Sequence, residues 1–168
     1  MDRLVATTVE TPLGNLSIVV SATGVMATCF DDGALDAPLE RLEQRLDLPI
    51  ARHGRGLASV RREVEAYFNG STRPFRTPVD LSLAPAGFGR RVLEATMRIP
   101  FAELATYGDV AAAAGSSRGG RAAGNALNRS PMELYVPCHR VVHVGRTIGG
   151  YGSYEDRKRW LLRHEGAL

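Results

Sequence analysis

The sequence is poor in cysteine and has no long hydrophobic run. Its 168 residues include two cysteines, Cys29 and Cys138, too few for a disulfide framework or a four-ligand zinc site. No apolar run approaches the roughly 20 residues of a membrane span, and the opening residues, Met1 to Arg3, do not begin a secretory signal. We therefore expect a soluble, cytoplasmic protein without a metal site, a cofactor or a membrane partner.

Lysine is almost absent as well, since Lys158 stands against 20 arginines. The hydrophobic fraction of 44% and the net charge of +3 exclude a disordered chain, and the length suits one domain or two small ones. Residues 1–83 carry nine basic and eleven acidic side chains, whereas residues 84–168 carry twelve and seven. Arginine contacts phosphates bidentately, so the basic second half favours an anionic partner; a solvated charged surface is the plain alternative.

Residues 1–83 have the pattern of a mixed α/β domain, which ends before a linker at 84–87. Three β-rich runs separated by turn clusters predict a strand meander, and two segments with helical spacing follow it. The last stretch of this domain reads as an extended return segment. The strands are expected at 5–9, 16–20 and 25–30, the helices at 39–48 and from Val60 to Gly70, and the extended segment at 75–83.

Residues 84–168 contain a helix-turn-helix pattern. A first helix keeps apolar spacing from Phe88 to Ile99. The tetrapeptide Thr106-Tyr107-Gly108-Asp109 resembles a capping box that starts a second helix ending before Gly115, and a tight turn leads to a third helix over 118–128. Taken alone the pattern is a weak indication of DNA binding, because many helical hairpins share it.

The third helix is nearly bare of large side chains. Glycine destabilises helices, so its presence here indicates that the backbone approaches something closely. Either the helix packs tightly on another helix, or it lies in a narrow groove with Arg121 as its one long projecting side chain. The small residues are Gly119, Gly120, Ala122, Ala123, Gly124 and Ala126.

The segment Pro137-Cys138-His139-Arg140 has the clearest chemical signature. It interrupts two β-rich runs, and Pro137 holds Cys138 in a defined bend. His139 and Arg140 make the surroundings electropositive, which should lower the pKa of the thiol, whereas Cys29 lies in an apolar run as a buried structural cysteine would. His139 is a candidate base, but neighbours on a strand face opposite ways, so it would need a bend or an intervening water.

Together these motifs resemble the O6-alkylguanine-DNA alkyltransferases, also called methylated-DNA–protein-cysteine methyltransferases. The similarity runs from about Phe88 to the C-terminus, with order and spacing intact, while the first half matches in outline only. It implies an α/β (α+β) fold with an RNase H-like domain over 1–83 and a winged-helix-like domain with the helix-turn-helix over 84–168. The residues that carry it are Pro137 to Val141, Arg121 to Ala126, Gly150-Tyr151, Leu161-Leu162 and Glu165.

The resemblance also implies a reaction. Members of this family flip a damaged guanine out of the duplex and take the alkyl group from O6 irreversibly onto a cysteine, which would be Cys138. His139 would be its base through a water, with Glu165 orienting the imidazole. Tyr107 would rotate the target phosphate and donate a proton toward guanine N3. The implied partner is double-stranded DNA containing O6-alkylguanine, bound through the minor groove by a monomer.

The bare helix would be the DNA-contacting element. Arg121 matches the family arginine that fills the space left by the flipped base. Ala122, Ala123 and Gly124 belong to the helix that lies in the minor groove, and Tyr107 contacts the DNA beside it. Base-specific contacts are few in this arrangement, so affinity should be mostly electrostatic and independent of sequence.

The resemblance implies an alkyl pocket around the cysteine. The carbonyls of Cys138 and Val141 would read the guanine amino group, and the Gly152 N–H would meet O6. Ser130 stands where the family usually has Asn, and it would cap the active-site turn with a shorter reach and one fewer donor. The implied pocket residues are Ser130, Val141, Tyr151, Gly152 and Ser153.

Two other functions compete with this interpretation. A non-catalytic alkyltransferase-like protein would bind the lesion and recruit repair factors, but such proteins lack the acceptor cysteine. A transcription regulator could use the helix-turn-helix with Cys138 as a sensor, but it would more often carry a dimerisation helix and a recognition helix rich in side chains. Cys138 and the bare helix favour the alkyltransferase.

Overall fold

The computed structural model describes residues 3–31, 37–54, 56–148 and 154–168. The chain divides into two compact units, Met1–Leu81 and Ser82–Leu168. Within the described ranges, no helix is long and apolar enough to cross a membrane. All the reacting and DNA-contacting residues inferred from the sequence belong to the second unit.

The first unit is a four-stranded sheet with a helix against it. Its elements are β1 Leu4–Thr11, β2 Gly14–Val20, β3 Val25–Phe30, α1 Ala37–Leu46, β4 Ile50–Ala51 and α2 Leu57–Phe68. The strand order is β3-β2-β1-β4, antiparallel except that β4 runs parallel to β1. The apolar face of α2 is buried at Val60, Val64 and Tyr67 and packs against β1, so the helical spacing in the sequence marks the core-facing side.

The return segment differs from its expected extended form. Residues 75–83, all within the described part of the chain, form no regular strand. Val79 makes a single parallel bridge to Val25, and a short 3₁₀ turn follows at Leu81–Leu83. Pro78 has no N–H to offer a ladder and contributes only its carbonyl, which accepts from the Val25 N–H at 2.8 Å.

Cys29 is exposed on β3, which corrects the expectation of a buried structural cysteine. Successive side chains of a strand point to opposite faces, and the neighbouring Phe30 is the one that enters the core. The Cys29 thiol donates to the Phe30 carbonyl at 3.3 Å. The apolar run around Cys29 therefore marks a strand without burying every side chain in it.

The second unit is mainly helical and contains the helix-turn-helix. Its elements are α3 Phe88–Thr96, β5 Ala105–Thr106, α4 Tyr107–Ala113, α5 Gly120–Asn128, β6 Val141–Val142 and α6 Glu155–Glu165. Helices α4 and α5 pack against each other and against α3. The capping box is present, since Thr106 Oγ1 accepts from the Asp109 N–H at 3.1 Å and the Asp109 carboxylate accepts from the Thr106 N–H at 2.8 Å.

A short parallel strand pair organises the centre of this unit. Ala105 of β5 pairs with Val141 of β6, and Thr106 pairs with Val142. Strand β5 leads directly into α4, and β6 directly follows a 3₁₀ turn at Cys138–Arg140. The pair therefore brings the first residue of α4 next to the segment that carries Cys138.

Candidate active site

Cys138 and His139 lie in one 3₁₀ turn and not at the junction of two strands. The Cys138 N–H donates to the Val136 carbonyl at 2.7 Å, and the Arg140 N–H donates to the Pro137 carbonyl at 3.0 Å. Both Cys138 and His139 are buried in this turn. The alternation of side chains along a strand does not apply there, so adjacency no longer argues against cooperation between thiol and imidazole.

His139 and Glu165 form a buried pair. Nε2 of His139 lies 2.8 Å from Oε1 of Glu165, and both side chains are 0% exposed. Nδ1 of His139 is buried too and has no hydrogen-bond partner among the described residues. Because the carboxylate can only accept, Nε2 carries the proton and Nδ1 keeps its lone pair, as a general base requires.

Glu165 is held by more than the histidine. Arg140 donates to both carboxylate oxygens, from Nε to Oε2 and from Nη2 to Oε1, each at 2.9 Å, and the Ala102 N–H donates to Oε2 at 3.2 Å. Burial favours a higher pKa for Glu165, but hydrogen bonds from His139 and Arg140 outweigh it and lower that pKa. Burial lowers the pKa of His139. The site therefore combines an ionised carboxylate with a neutral imidazole.

The Cys138 thiol is protonated at rest, which corrects the expectation that its sequence neighbours lower its pKa. Burial, with 7% of the residue exposed, is the main cause that raises the pKa to about 12, and the Glu133 carboxylate adds to it. Lys158 and a hydrogen bond with the Ser130 side chain act in the opposite direction. The guanidinium of Arg140 is paired with the buried carboxylate instead. The thiol thus needs a base before it can act as a nucleophile.

Lys158 belongs to this site, although sequence reasoning gave it no role. Its side chain extends from α6, is fully buried and donates from Nζ to the Val141 carbonyl at 2.5 Å. Nζ also lies 5.7 Å from the centroid of the Tyr107 ring. Desolvation lowers the pKa of Lys158 to about 8, although the carboxylate of Glu155 acts in the opposite direction. The one sequence feature that could have drawn attention to Lys158 is composition, because it is the only lysine beside 20 arginines.

Tyr107 opens α4 beside the cysteine turn. Tyr107 and His143 directly follow Thr106 and Val142, the last paired residues of β5 and β6. Their ring centroids are 5.0 Å apart, and the ring planes are tilted by 47°. Burial is the main cause that raises the pKa of the Tyr107 phenol, which therefore keeps its proton at neutral pH. A protonated phenol next to the thiol suits a proton donor, while the contact with His143 was not foreseen from the sequence.

The exposed side of α5 is nearly without side chains. Arg121 and Ala122 are exposed and Gly124 is partly exposed, whereas Ala123 is fully buried. The Ala123 side chain faces the protein interior, so a DNA contact at this residue stays a prediction for its backbone alone. A Cβ at Gly124 would lie 3.7 Å from the Tyr107 ring, which is ordinary van der Waals contact. Packing among the described residues therefore does not require glycine at position 124.

Gly119, just before α5, is glycine for a different reason. A Cβ there would lie 2.9 Å from Phe88 Cζ and 2.9 Å from Ser116 Oγ, closer than real Cβ contacts come. Of the two interpretations of the bare helix, tight packing explains Gly119. Packing among the described residues does not explain Gly124, and the close-approach interpretation of that residue stays a prediction.

Ser130 stabilises the turn that precedes the cysteine. Its Oγ accepts from the Met132 N–H at 3.2 Å and donates to the Met132 carbonyl at 3.1 Å, and its side chain also hydrogen-bonds Cys138. Val141 is fully buried, with its carbonyl bonded to Lys158. The other expected pocket residues lie outside the described residues; they are Tyr151, Gly152 and Ser153.

Comparison with known proteins covers both units. Residues 87–167 match the DNA-binding domain of 6-O-methylguanine DNA methyltransferase, and residues 4–81 match its ribonuclease-like domain. The chain is 42% identical over 162 residues to the methylated-DNA–protein-cysteine methyltransferase of Methanosarcina acetivorans, covering 94% of this chain and 96% of the relative. It is 37% identical over 162 residues to a DNA base-flipping protein of Thermus thermophilus, covering 94% of this chain and 97% of that one.

A solved structure agrees with the sequence matches. The crystal structure of Mycobacterium tuberculosis OGT in complex with DNA has a TM-score of 0.80 and 26% identity, covering 96% of this chain and 92% of that one. The match to a DNA-binding domain covers the unit in which the helix-turn-helix lies together with the buried Cys138, His139 and Glu165, so the protein is of a DNA-binding class. The chain belongs to the 6-O-methylguanine DNA methyltransferase family, which confirms the resemblance, the fold class and a function in DNA repair by direct reversal.

Proposed function

We propose that this chain transfers the alkyl group from O6 of alkylguanine in double-stranded DNA to the sulfur of Cys138, once per molecule. The observation that carries the proposal is the buried contact of His139 with Glu165, directly beside Cys138 in one turn. It supplies a nucleophile, a neutral base and an ionised orienting carboxylate. The residue roles follow the family resemblance, and the geometry supports them.

The first step is loss of the thiol proton, which costs free energy because the thiol is buried. Nδ1 of His139 takes this proton through a water, and Glu165 stabilises the imidazolium that forms. The sulfur then bonds to the alkyl carbon as the carbon–O6 bond breaks, and that electron pair stays on the purine. Tyr107 donates a proton toward N3, so guanine leaves neutral, and the proton on His139 restores the phenol through solvent.

DNA binding follows from the exposed side of α5. We place this helix in the minor groove, with Arg121 in the space of the flipped base and the small residues Ala122 and Gly124 against the sugar–phosphate walls. Tyr107 lies where α5 and the cysteine turn meet, so it can act on the target nucleotide. We further propose that the protein acts as a monomer in the cytoplasm. Its N-terminal domain would span residues 1–83, and its DNA-binding and alkyl-acceptor domain residues 84–168.

Intact mass after incubation with an O6-methylguanine duplex tests the proposal. We expect a gain of one methyl group per molecule, mapped by peptide analysis to Cys138, with no further turnover. Cys138→Ala should bind the duplex but gain no mass, and the matched control Cys29→Ala should react like the parent because Cys29 is exposed on the first unit. A label on Cys29 would contradict the proposal. Binding without any mass gain would favour the lesion-binding alternative.

A further inference from the structure

We infer that Ala102 is a positioning residue of the reaction, whose backbone N–H holds the Glu165 carboxylate so that His139 stays a neutral base. The inference rests on the proposed function. Ala102 lies in a turn that is closed by a hydrogen bond from the Glu103 N–H to the Pro100 carbonyl at 3.2 Å. Its own N–H donates to Oε2 of Glu165 at 3.2 Å. The turn therefore presents a backbone donor to the carboxylate that orients the base.

The backbone of Ala102 is strained. Its φ is 63°, in the left-handed region that disfavours residues with a side chain. In a four-residue turn, a positive φ at the third position calls for glycine or asparagine, and this chain has alanine there. The Ala102 side chain is exposed, and helix α3 already ends at Thr96, so neither core packing nor helix capping accounts for the conformation. Backbone strain of this kind concentrates at functional sites.

The left-handed φ sets the direction in which the Ala102 N–H points. In a planar trans peptide, the N–H and the carbonyl of the preceding residue lie on opposite sides. The common turn types differ by a rotation of their central peptide, which changes the sign of φ at the third position. The unstrained form would therefore turn the Ala102 N–H away from Glu165 and direct the Phe101 carbonyl toward it. Only the strained form presents a donor to the carboxylate.

Arg140 holds the same turn from a second side. Its Nη1 donates to the Ile99 carbonyl at 2.7 Å, and its guanidinium carbon lies 5.8 Å from the centre of the Phe101 ring. The same guanidinium donates to both oxygens of Glu165, at 2.9 Å each. Arg140 and the turn thus contact each other, and both contact Glu165. This arrangement fixes the turn although its alanine is strained.

The donors to Glu165 control the protonation of the base. A carboxylate with fewer donors favours a positively charged imidazole more strongly, because less of its own charge is compensated. The Ala102 N–H binds Oε2 while Nε2 of His139 binds Oε1, so the backbone donor helps to keep the ring neutral. A change at Ala102 replaces none of the ionisable groups around His139. These groups are Cys138, Arg140, Lys158 and Glu165.

The first test measures single-turnover transfer from the free base O6-benzylguanine as a function of pH. Ala102→Val should turn the peptide over, because a β-branched residue rarely adopts a positive φ. The imidazole of His139 should then become protonated at higher pH. Between pH 8 and pH 6.5 the parent should stay level, whereas Ala102→Val should lose about threefold or more of its rate, a part of what a hydrogen bond to a charged group contributes.

Two further variants separate the N–H from the side chain. Ala102→Gly keeps the N–H and adopts the left-handed backbone without strain, so it should restore the level pH profile and resist denaturant better than the parent. Ala86→Val is the matched control, since it adds the same methyl groups at an exposed alanine of the same unit whose φ is not positive. It should behave like the parent.

The second test does not depend on alkyl transfer. Replacing Ala102 by L-lactic acid puts an ester oxygen in place of the N–H and keeps the methyl group. In protein labelled with [¹⁵N]histidine, the signals of His139 are those of the four histidines that disappear in His139→Ala. We expect the His139 ring to take up its second proton at higher pH in the ester than in the parent. This comparison remains decisive if Ala102→Val fails to fold.

The outcomes separate this inference from the proposed function. A His139 ring that titrates identically in the ester and in the parent would overturn the role of Ala102. A rate loss in Ala102→Val that is equal at every pH, or a pH profile that Ala102→Gly shifts as far as Ala102→Val does, would overturn it as well. If the parent transfers nothing from either the duplex or the free base, the proposed function fails, while the titration of His139 still decides whether the N–H acts on the base.

Discussion

The cysteine turn and helix α5 belong to the same unit but are built in opposite ways. Glu165 is fixed by donors from His139, Arg140 and Ala102, and the pair it forms with His139 is 0% exposed. Helix α5 presents Arg121, Ala122 and Gly124 on its exposed or partly exposed side. The chemistry of the cysteine turn depends on many fixed contacts, whereas the surface of α5 depends on the small size of its exposed side chains.

This difference separates chemistry from binding. Burial of Cys138 and His139, together with the contacts around Glu165, sets the protonation states of the reacting groups, which matter for every alkyl donor. The surface of α5 matters only when a duplex must be approached and a base displaced. Substitutions in the cysteine turn should therefore slow transfer from duplex and free base alike, whereas substitutions on α5 should affect the duplex alone.

The largest expected effect tests the chemical half of this comparison. His139→Ala should slow transfer by about 10²- to 10⁴-fold on both the O6-methylguanine duplex and free O6-benzylguanine, because a general base contributes about that much. Single-turnover rates on the two donors provide the measurement. Duplex affinity should stay near that of the parent, since the His139 side chain is 0% exposed and offers no surface to a duplex. Transfer by His139→Ala at the parent rate would remove the residue from the mechanism.

The next effect tests the binding half. Arg121→Ala should slow transfer from the duplex much more than transfer from the free base, because displacing a paired base costs a few kcal/mol and the free base needs no displacement. Arg118→Ala is the matched control, an exposed arginine in the preceding turn that would contribute one phosphate contact at most. Its loss should be rescued by excess duplex. Equal fractional losses on both donors in Arg121→Ala would break the comparison.

Local sequence predicted several elements of both units correctly. The capping box at Thr106 and Asp109 depends on groups three residues apart, so the pattern alone identifies it. The core face of α2 follows in the same way from helical spacing. Pairing of Glu165 with His139 came from the family resemblance, since nothing in the spacing of two residues 26 positions apart indicates contact.

Burial is what the local sequence could not report. The sequence predicted a lowered pKa for the Cys138 thiol from its cationic neighbours. In the structure Arg140 pairs with the Glu165 carboxylate, and burial raises the pKa of the thiol to about 12. Lys158 reaches the site from another helix, 17 positions beyond its partner Val141. Ala123 was grouped with its exposed neighbours because one helical turn contains both inward and outward positions.

A smaller effect concerns the pH range of the chemistry. Burial lowers the pKa of His139 from its ordinary value of 6.5, so Nδ1 remains able to accept a proton when the medium is at pH 6.5. Transfer from free O6-benzylguanine should therefore stay level down to that pH and fall only in more acid solution, where the imidazole becomes protonated. Rates measured in buffers of constant ionic strength test this. An acid midpoint above 6.5 would contradict the buried neutral base.

The smallest effect compares two glycines of the α5 region, Gly119 just before the helix and Gly124 inside it. Gly119→Ala forces a Cβ to 2.9 Å from Phe88 and Ser116 and should destabilise the fold, by about 1–3 kcal/mol as overpacked sites do. Gly124→Ala finds 3.7 Å to the Tyr107 ring and lies inside α5, so it should raise the free energy of unfolding by up to about 1 kcal/mol. Chemical denaturation of both variants measures these changes.

Duplex binding by the same two variants sharpens the contrast. The added methyl group of Gly124→Ala lies on the partly exposed side of α5, so this more stable protein should bind duplex DNA more weakly while it reacts with O6-benzylguanine at the parent rate. Gly119→Ala should lose stability without a specific loss of affinity in the folded fraction. If Gly124→Ala binds duplex as tightly as the parent, helix α5 does not approach DNA at that residue, and its bareness requires another explanation.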